Sequence, residues 1–165
     1  MARLDIRIYG DEVLRKKTKF VKQFDKKLEK LVHDMFETMY EAHGIGLAAP
    51  QVGILRKVIV VDTTEPDEKF ALVNPKIIWQ SPEMDLMKEG CLSIPGVDGE
   101  VSRPAGIRVK AQAVDGEEFE LAASGLLARC IQHEMDHLNG ILFVDHLRES
   151  ERASVARALQ ELAVA

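Results

Sequence analysis

Between Asp25 and His43, apolar residues fall at Leu28, Leu31, Val32, Met35 and Met39, a three-and-four spacing that lines one face of a helix. Asp25 is suited to cap its start and Gly44 to end it. The pattern then changes. Val58-Ile59-Val60-Val61, within Lys57 to Asp62, is an unbroken apolar run and predicts a buried strand. Phe70 to Val73 and Ile77 to Trp79 read as two further short strands, separated by Asn74-Pro75. Ile107, Val109, Ala111 and Ala113 alternate with polar residues, Asp115-Gly116 turns the chain, and Phe119 and Leu121 resume the alternation, which predicts a β-hairpin. Helical spacing returns from Ser124 to Asn139. There Leu126, Leu127, Cys130, Ile131 and Leu138 supply the apolar side, Ser124 the N-cap and Asn139-Gly140 the stop. Ile141 to Val144 reads as a brief strand. Val155, Leu159 and Leu162 mark an amphipathic C-terminal helix over 149–165. Strands and helices do not alternate regularly, so the expected class is α+β with antiparallel strands rather than a doubly wound sheet. With no repeat or linker, residues 1–165 are expected to form one domain.

Composition narrows this picture. Apolar residues make up 46% of the chain and charged residues 30%, enough for both a core and a solvated surface. A net charge of −5 speaks against a direct nucleic-acid partner, and Lys16-Lys17-Thr18-Lys19 reads as a solvated turn. No apolar run approaches the roughly 18 residues of a membrane span. The N-terminus lacks a signal-peptide apolar region, so no membrane partner and a cytoplasmic location are expected. The two cysteines, Cys91 and Cys130, are then free thiols or metal ligands rather than a disulfide.

The chemistry concentrates in His133-Glu134-Met135-Asp136-His137. Two histidines four apart on a helix share a face and can reach one ion, and the intervening glutamate can reach a water bound to it. Two unrelated histidines on a half-buried helix are the bland alternative. A catalytic centre needs a third protein ligand. The position where one peptidase class carries a third histidine is Phe143, and His146 is out of phase. Glu149 and Glu151 follow too closely, and Glu161 lies in the terminal helix. Cys91, in Glu89-Gly90-Cys91-Leu92-Ser93, is the better candidate, against the ordinary reading of a small buried residue. Cys130, three residues before His133, reads as wall.

Three segments together resemble the peptide deformylase family in its bacterial, type 1-like form. They are Gly44-Ile45-Gly46-Leu47-Ala48-Ala49-Pro50-Gln51, Glu89-Gly90-Cys91-Leu92-Ser93 and Gln132-His133-Glu134-Met135-Asp136-His137. The resemblance implies antiparallel sheets around a central metal-bearing helix, with a C-terminal helix beyond. It implies a hydrolase that removes the formyl group from N-formylmethionyl nascent peptides and releases formate. Cys91, His133 and His137 would be the ligands of one divalent ion, Fe²⁺ first, with Zn²⁺, Ni²⁺ or Co²⁺ able to substitute. Glu134 would act as general base and acid. The Gln51 side-chain amide and the Leu92 backbone N–H would hold the developing oxyanion.

Ile45, Met87, Leu126 and Cys130 are the implied methionine pocket, Arg129 rims it with its alkyl stem, and Gly46 and Gly90 allow close backbone approach. Leu126 and Cys130 read equally well as helix core. Asp98 stands in an acidic stretch where several relatives carry an arginine. Arg103 reads equally as a brace for the Cys91 segment through Glu89 or as a surface arginine. Arg148, Arg152 and Arg157 are balanced by Glu149, Glu151 and Glu161, so only weak ribosome contact through the C-terminal helix is expected. An endopeptidase and a non-catalytic binder of nascent chains are the competing readings.

Overall fold

The computed structural model describes residues 3–165. Helix α1 spans Lys26–Glu41, and the Asp25 carboxylate accepts a hydrogen bond from the Leu28 N–H at 3.1 Å, as the sequence predicts. Its apolar stripe, including Leu28, Val32, Met35 and Met39, is buried against the sheet. The helix does not end on Gly44. His43 takes the left-handed conformation (φ 61), and the Gly44 N–H reaches back to the Met39 carbonyl. Gly44 is small for a different reason: a Cβ there would lie 2.7 Å from Leu92 Cδ1.

The strands are β1 (Gly46–Ala48), β2 (Val58–Asp62), β3 (Lys69–Gln80), β4 (Met84–Cys91), β5 (Ile94–Pro104), β6 (Gly106–Gln112) and β7 (Glu118–Ser124). They form a five-stranded antiparallel sheet in the order β1-β2-β3-β6-β7 and a separate β4-β5 ribbon. The run Val58–Val61 is buried on both faces, as its lack of alternation requires. The β6-β7 hairpin turns where expected.

Helix α2 (Gly125–His137) packs its apolar side on the sheet through Leu127, Ala128 and Ile131. Helix α3 (Glu149–Val164) lies outside a third cluster formed by Leu14, Ile94, Val101, Leu142 and Phe143, and contributes Val155, Leu159 and Leu162 to it. The α+β class with antiparallel sheets and a terminal helix is therefore the observed architecture.

Two local expectations are corrected, one is met only in part, and one element was not foreseen. Asn74-Pro75 does not break β3. A bulge between Val73 and Lys76 absorbs it, with Asn74 at φ 51 and its side chain bonded to the Val21 backbone and Gln112. Residues 141–144 form no strand. A 3-10 turn at Phe143–His146 buries Phe143 and Val144, and Asp145 accepts from the Leu142 N–H. Ser124 is the N-cap residue of α2, as expected, but its side chain makes no capping hydrogen bond, and it is also the last residue of β7. The β4-β5 ribbon had no counterpart in the sequence pattern. The β4 segment Met84-Asp85-Leu86-Met87-Lys88-Glu89 is exposed or half-buried up to Glu89, so no apolar alternation announces it.

Candidate metal centre

The ribbon delivers Cys91 to helix α2. At its end the pairing jumps from Gly90↔Asp98 to Cys91↔Ile94, which swings the chain toward the helix. Cys91 Sγ lies 3.4 Å from His137 Nε2, and one ligand atom each from Cys91, His133 and His137 all fall within 4.8 Å of one another. Donors around a tetrahedral ion at Zn-like bond lengths are separated by roughly 3.5 Å, so this set is closely gathered for one small cation. His133 and His137 are buried; Cys91 is half-buried.

His133 is held from behind. His133 Nδ1 is 2.9 Å from Glu89 Oε1, which leaves Nε2 to face the sulfur side. The other edge of Glu89 receives Arg103 Nε and Arg129 Nη1, both at 2.5 Å. Arg103 Nη1 also donates to Asp136 on α2 at 2.9 Å. Arg103 is thus buried and is the brace, not a surface arginine. Burial would raise the Glu89 pKa, but the hydrogen bonds from His133 and Arg103 outweigh it and hold it at about 2. Phe143, standing where a further histidine was sought, stacks on the His133 ring at 6.0 Å between centroids. His146 turns instead to Asp136, and Glu151 accepts from the Glu100 N–H.

Glu134 is buried beside the ligands, and burial pushes its pKa up to about 7. Its Oε1 and the His137 Nδ1 are buried with no hydrogen-bond partner among the described residues. Burial depresses the His137 pKa well below the imidazole range. Burial also opposes charge on His133, but the Glu134 charge and the contacts to Cys91 and Glu89 hold its pKa well above the ordinary value. A thiolate-imidazole donor set and a buried carboxylate oxygen lacking a partner together fit a divalent ion.

Gln51 is buried, and its amide is fixed at both ends. Oε1 accepts from the Ala48 N–H at 2.9 Å, which turns Nε2 toward Ser93 Oγ (3.1 Å) and Cys91 Sγ (3.5 Å). Leu92 follows the sulfur directly in the ribbon turn.

A cavity of about 350 Å³ opens in front of these groups. Ile45, Gly46, Gly90, Leu126, Arg129 and Cys130 line it, together with Cys91, His133 and Glu134. Three expectations change. Met87 does not line it: two strand residues beyond Glu89, about 7 Å along β4, it is 38% exposed outside the mouth. Arg129 does, but its guanidinium turns inward to Glu89 and the Val101 and Asp85 carbonyls, so it is structural. Gly46 is small because α2 needs the space: a Cβ would meet Cys130 Sγ at 2.6 Å and Glu134 Oε2 at 2.7 Å. Leu126 is 46% exposed and is wall rather than core, while Cys130 serves both. Lys88 and His43 also line the cavity, and no motif pointed to them.

Comparison with known proteins shows the family. The family model for polypeptide deformylase matches residues 3–153. The chain belongs to the polypeptide deformylase family. The peptide deformylase of Polynucleobacter necessarius is 46% identical, over 99% of this chain and 96% of that protein. Peptide deformylase 1 of Clostridium acetobutylicum is 54% identical, over 92% and 99%. A solved structure of Plasmodium falciparum peptide deformylase in complex with inhibitor superposes with a TM-score of 0.90 at 38% identity, covering 97% of this chain and 99% of that one. As a deformylase-family member the chain is a metal-dependent hydrolase. Among the described residues, no helix is long and apolar enough to cross a membrane.

Proposed function

We propose that this chain deformylates N-formylmethionyl peptides with Cys91, His133 and His137 as ligands of one divalent ion and Glu134 as the group that moves the proton. The reaction follows from the family: removal of the N-formyl group of newly made proteins, with release of formate. The observation that carries the site assignment is the convergence of one sulfur and two imidazoles, 42 and 46 positions apart in sequence, within 4.8 Å. When bound, the ion would supply Lewis acidity and lower the pKa of its water towards neutrality. Glu134 takes the proton of the attacking water as its oxygen bonds to the formyl carbon. The carbon–nitrogen bond then breaks, and Glu134 returns the proton to the departing amine. The Gln51 Nε2–H and the Leu92 N–H stabilise the charge that builds on the formyl oxygen. The methionine side chain occupies the 350 Å³ cavity, and the peptide backbone lies along β1, an edge strand of the sheet.

As the family resemblance implies, the ion is Fe²⁺; the thiolate-imidazole set also accommodates Zn²⁺, Ni²⁺ or Co²⁺, and the half-buried Cys91 makes the iron centre sensitive to air. Formate release by anaerobically prepared iron protein, compared with zinc protein, tests this; equal rates reject iron. Glu134→Ala is expected to keep the metal and lose about 10²–10⁴-fold in kcat. Full turnover in that variant would remove Glu134 from its role. Cleavage of formyl-Met-Ala but not of a long unformylated peptide separates this reading from an endopeptidase.

A further inference from the structure

The overall charge of −5 conceals a strong segregation. Residues 15–30 hold eight Lys or Arg against two acids, Asp25 and Glu29, a net of +6. The structure makes this stretch part of a shaped surface rather than a solvated turn. Lys19 pairs with Arg56 in an isolated parallel bridge, the Lys19 N–H donates to the Leu55 carbonyl and the Lys57 N–H to the Lys19 carbonyl. Two hydrogen bonds from the Asn74 side chain pin Val21 from the other side. Two basic segments far apart in sequence are thereby locked together.

Between them and the start of α1 runs a groove of about 990 Å³, lined by Lys19, Lys22, Lys27 and Arg56. All four are exposed, and among the described residues none has an ion-pair partner. The only acid in the lining is Asp25, whose carboxylate is engaged in capping α1. The positive end of the 16-residue helix opens beside it. Phe20 stands in the same groove, 62% exposed, with Lys57 Nζ 5.3 Å from its ring centroid.

We propose that this groove binds the phosphate backbone of single-stranded RNA, with Phe20 stacking on a base. A row of unpaired cations neutralises successive phosphates, and an exposed aromatic among them is the platform that sequence-independent single-strand binders use. The concave form favours a strand over a flat anionic membrane, which would engage a convex or planar basic face. The face is separate from the metal centre, so it bears on where the enzyme is held rather than on its chemistry.

The test is fluorescence anisotropy of a short labelled oligouridylate with the full-length, metal-loaded enzyme across a salt series. Four phosphate contacts predict a slope of log K against log[salt] of about −3, and each charge removed lowers its magnitude by about 0.7. Combined Lys19→Glu, Lys22→Glu, Lys27→Glu and Arg56→Glu replacement is expected to abolish binding and leave formate release from a formylmethionyl peptide unchanged. Should that variant fail to fold, as loss of formate release would show, Lys22→Glu and Lys27→Glu singly give the same reading through the slope. Phe20→Ala is expected to weaken oligouridylate binding about tenfold and heparin binding not at all. Undiminished binding in the charge-reversed variants overturns the proposal. So does equal or tighter binding to oligoglutamate or to phosphatidylserine vesicles, which would assign the face to an acidic protein or a lipid surface. Formate release is read independently, so failure here and failure of the deformylase site assignment are distinguishable.

Discussion

Gln51 shows how little freedom the site leaves a single side chain. With Oε1 fixed by the Ala48 N–H, Nε2 can only donate toward Ser93 and Cys91. Gln51→Glu puts an acceptor where the developing oxyanion needs a donor, and kcat is expected to fall by about 10²–10³ with a smaller change in KM. Steady-state formate release checks the split. Gly46 is equally constrained, since a Cβ would strike both Cys130 Sγ and Glu134 Oε2. Gly46→Ala is expected to displace Glu134 and cost about 10²-fold in kcat with the metal retained. Adding Cys130→Ala removes one of the two obstructions and should restore part of the loss. Undiminished activity in Gly46→Ala would show that Glu134 does not need its present position. The grouping of His133, Glu134 and His137 was legible in sequence because helical spacing alone puts them together. The partner of His133 was not: Glu89 meets it across 44 positions, through a ribbon that no apolar pattern announced.

Between elements, the most consequential joint is the Glu89–Arg103–Asp136 chain, which ties both ribbon strands to α2. Arg103→Met leaves Glu89 with Arg129 and His133 alone, and breaking such a buried pair is expected to cost about 3 kcal/mol. The same change should weaken metal binding about 10–100-fold, because the carboxylate that orients His133 loses its own support. Urea unfolding and chelator competition measure the two effects separately.

A second joint is Arg15 with Asp145, at 2.6 Å, which ties the segment before α1 to the turn before α3. Burial would raise the Asp145 pKa, but the Arg15 and Leu142 hydrogen bonds outweigh it and hold it below the usual value. Its contribution is therefore complete above the unfolded-state value of about 3.9 and is lost as pH falls through the lower folded value. Asp145→Asn is expected to cost about 1 kcal/mol at pH 7, as a partly exposed pair does, and nothing once pH is below the folded value. Urea midpoints at the two pH values test this. The helices and the β6-β7 hairpin were readable because each carries its own periodicity. The continuity of β3 was not, since it depends on Asn74 finding Val21 and Gln112 in the folded chain.

On the scale of the whole molecule, α3 is an accessory to the catalytic body. It buries none of its residues completely, yet Val155, Leu159 and Leu162 cover the Leu14, Leu142 and Phe143 cluster. Deleting residues 149–165 is expected to lower Tm by roughly 5–10 °C while formate release at 25 °C persists. Calorimetry and the activity assay together check this. If α3 docks on the ribosome, cosedimentation will vanish with it; retention would point to another face.

The centre itself is distributed over β4, the residues after β1 and α2, so the fold class followed from pattern while the assembly of the site required the topology. Because Glu89 fixes the His133 ring and Gln51 Nε2 lies 3.5 Å from Cys91 Sγ, two of the three donors are positioned by the protein and not by the ion. Loading is then expected to proceed by exchange through the open cavity, with no unfolding step. If supply and exchange rate decide which ion is resident, a cell starved of one metal is expected to keep the same folded enzyme and run it on whichever divalent ion replaces it. Metal exchange at constant circular dichroism is the expected signature.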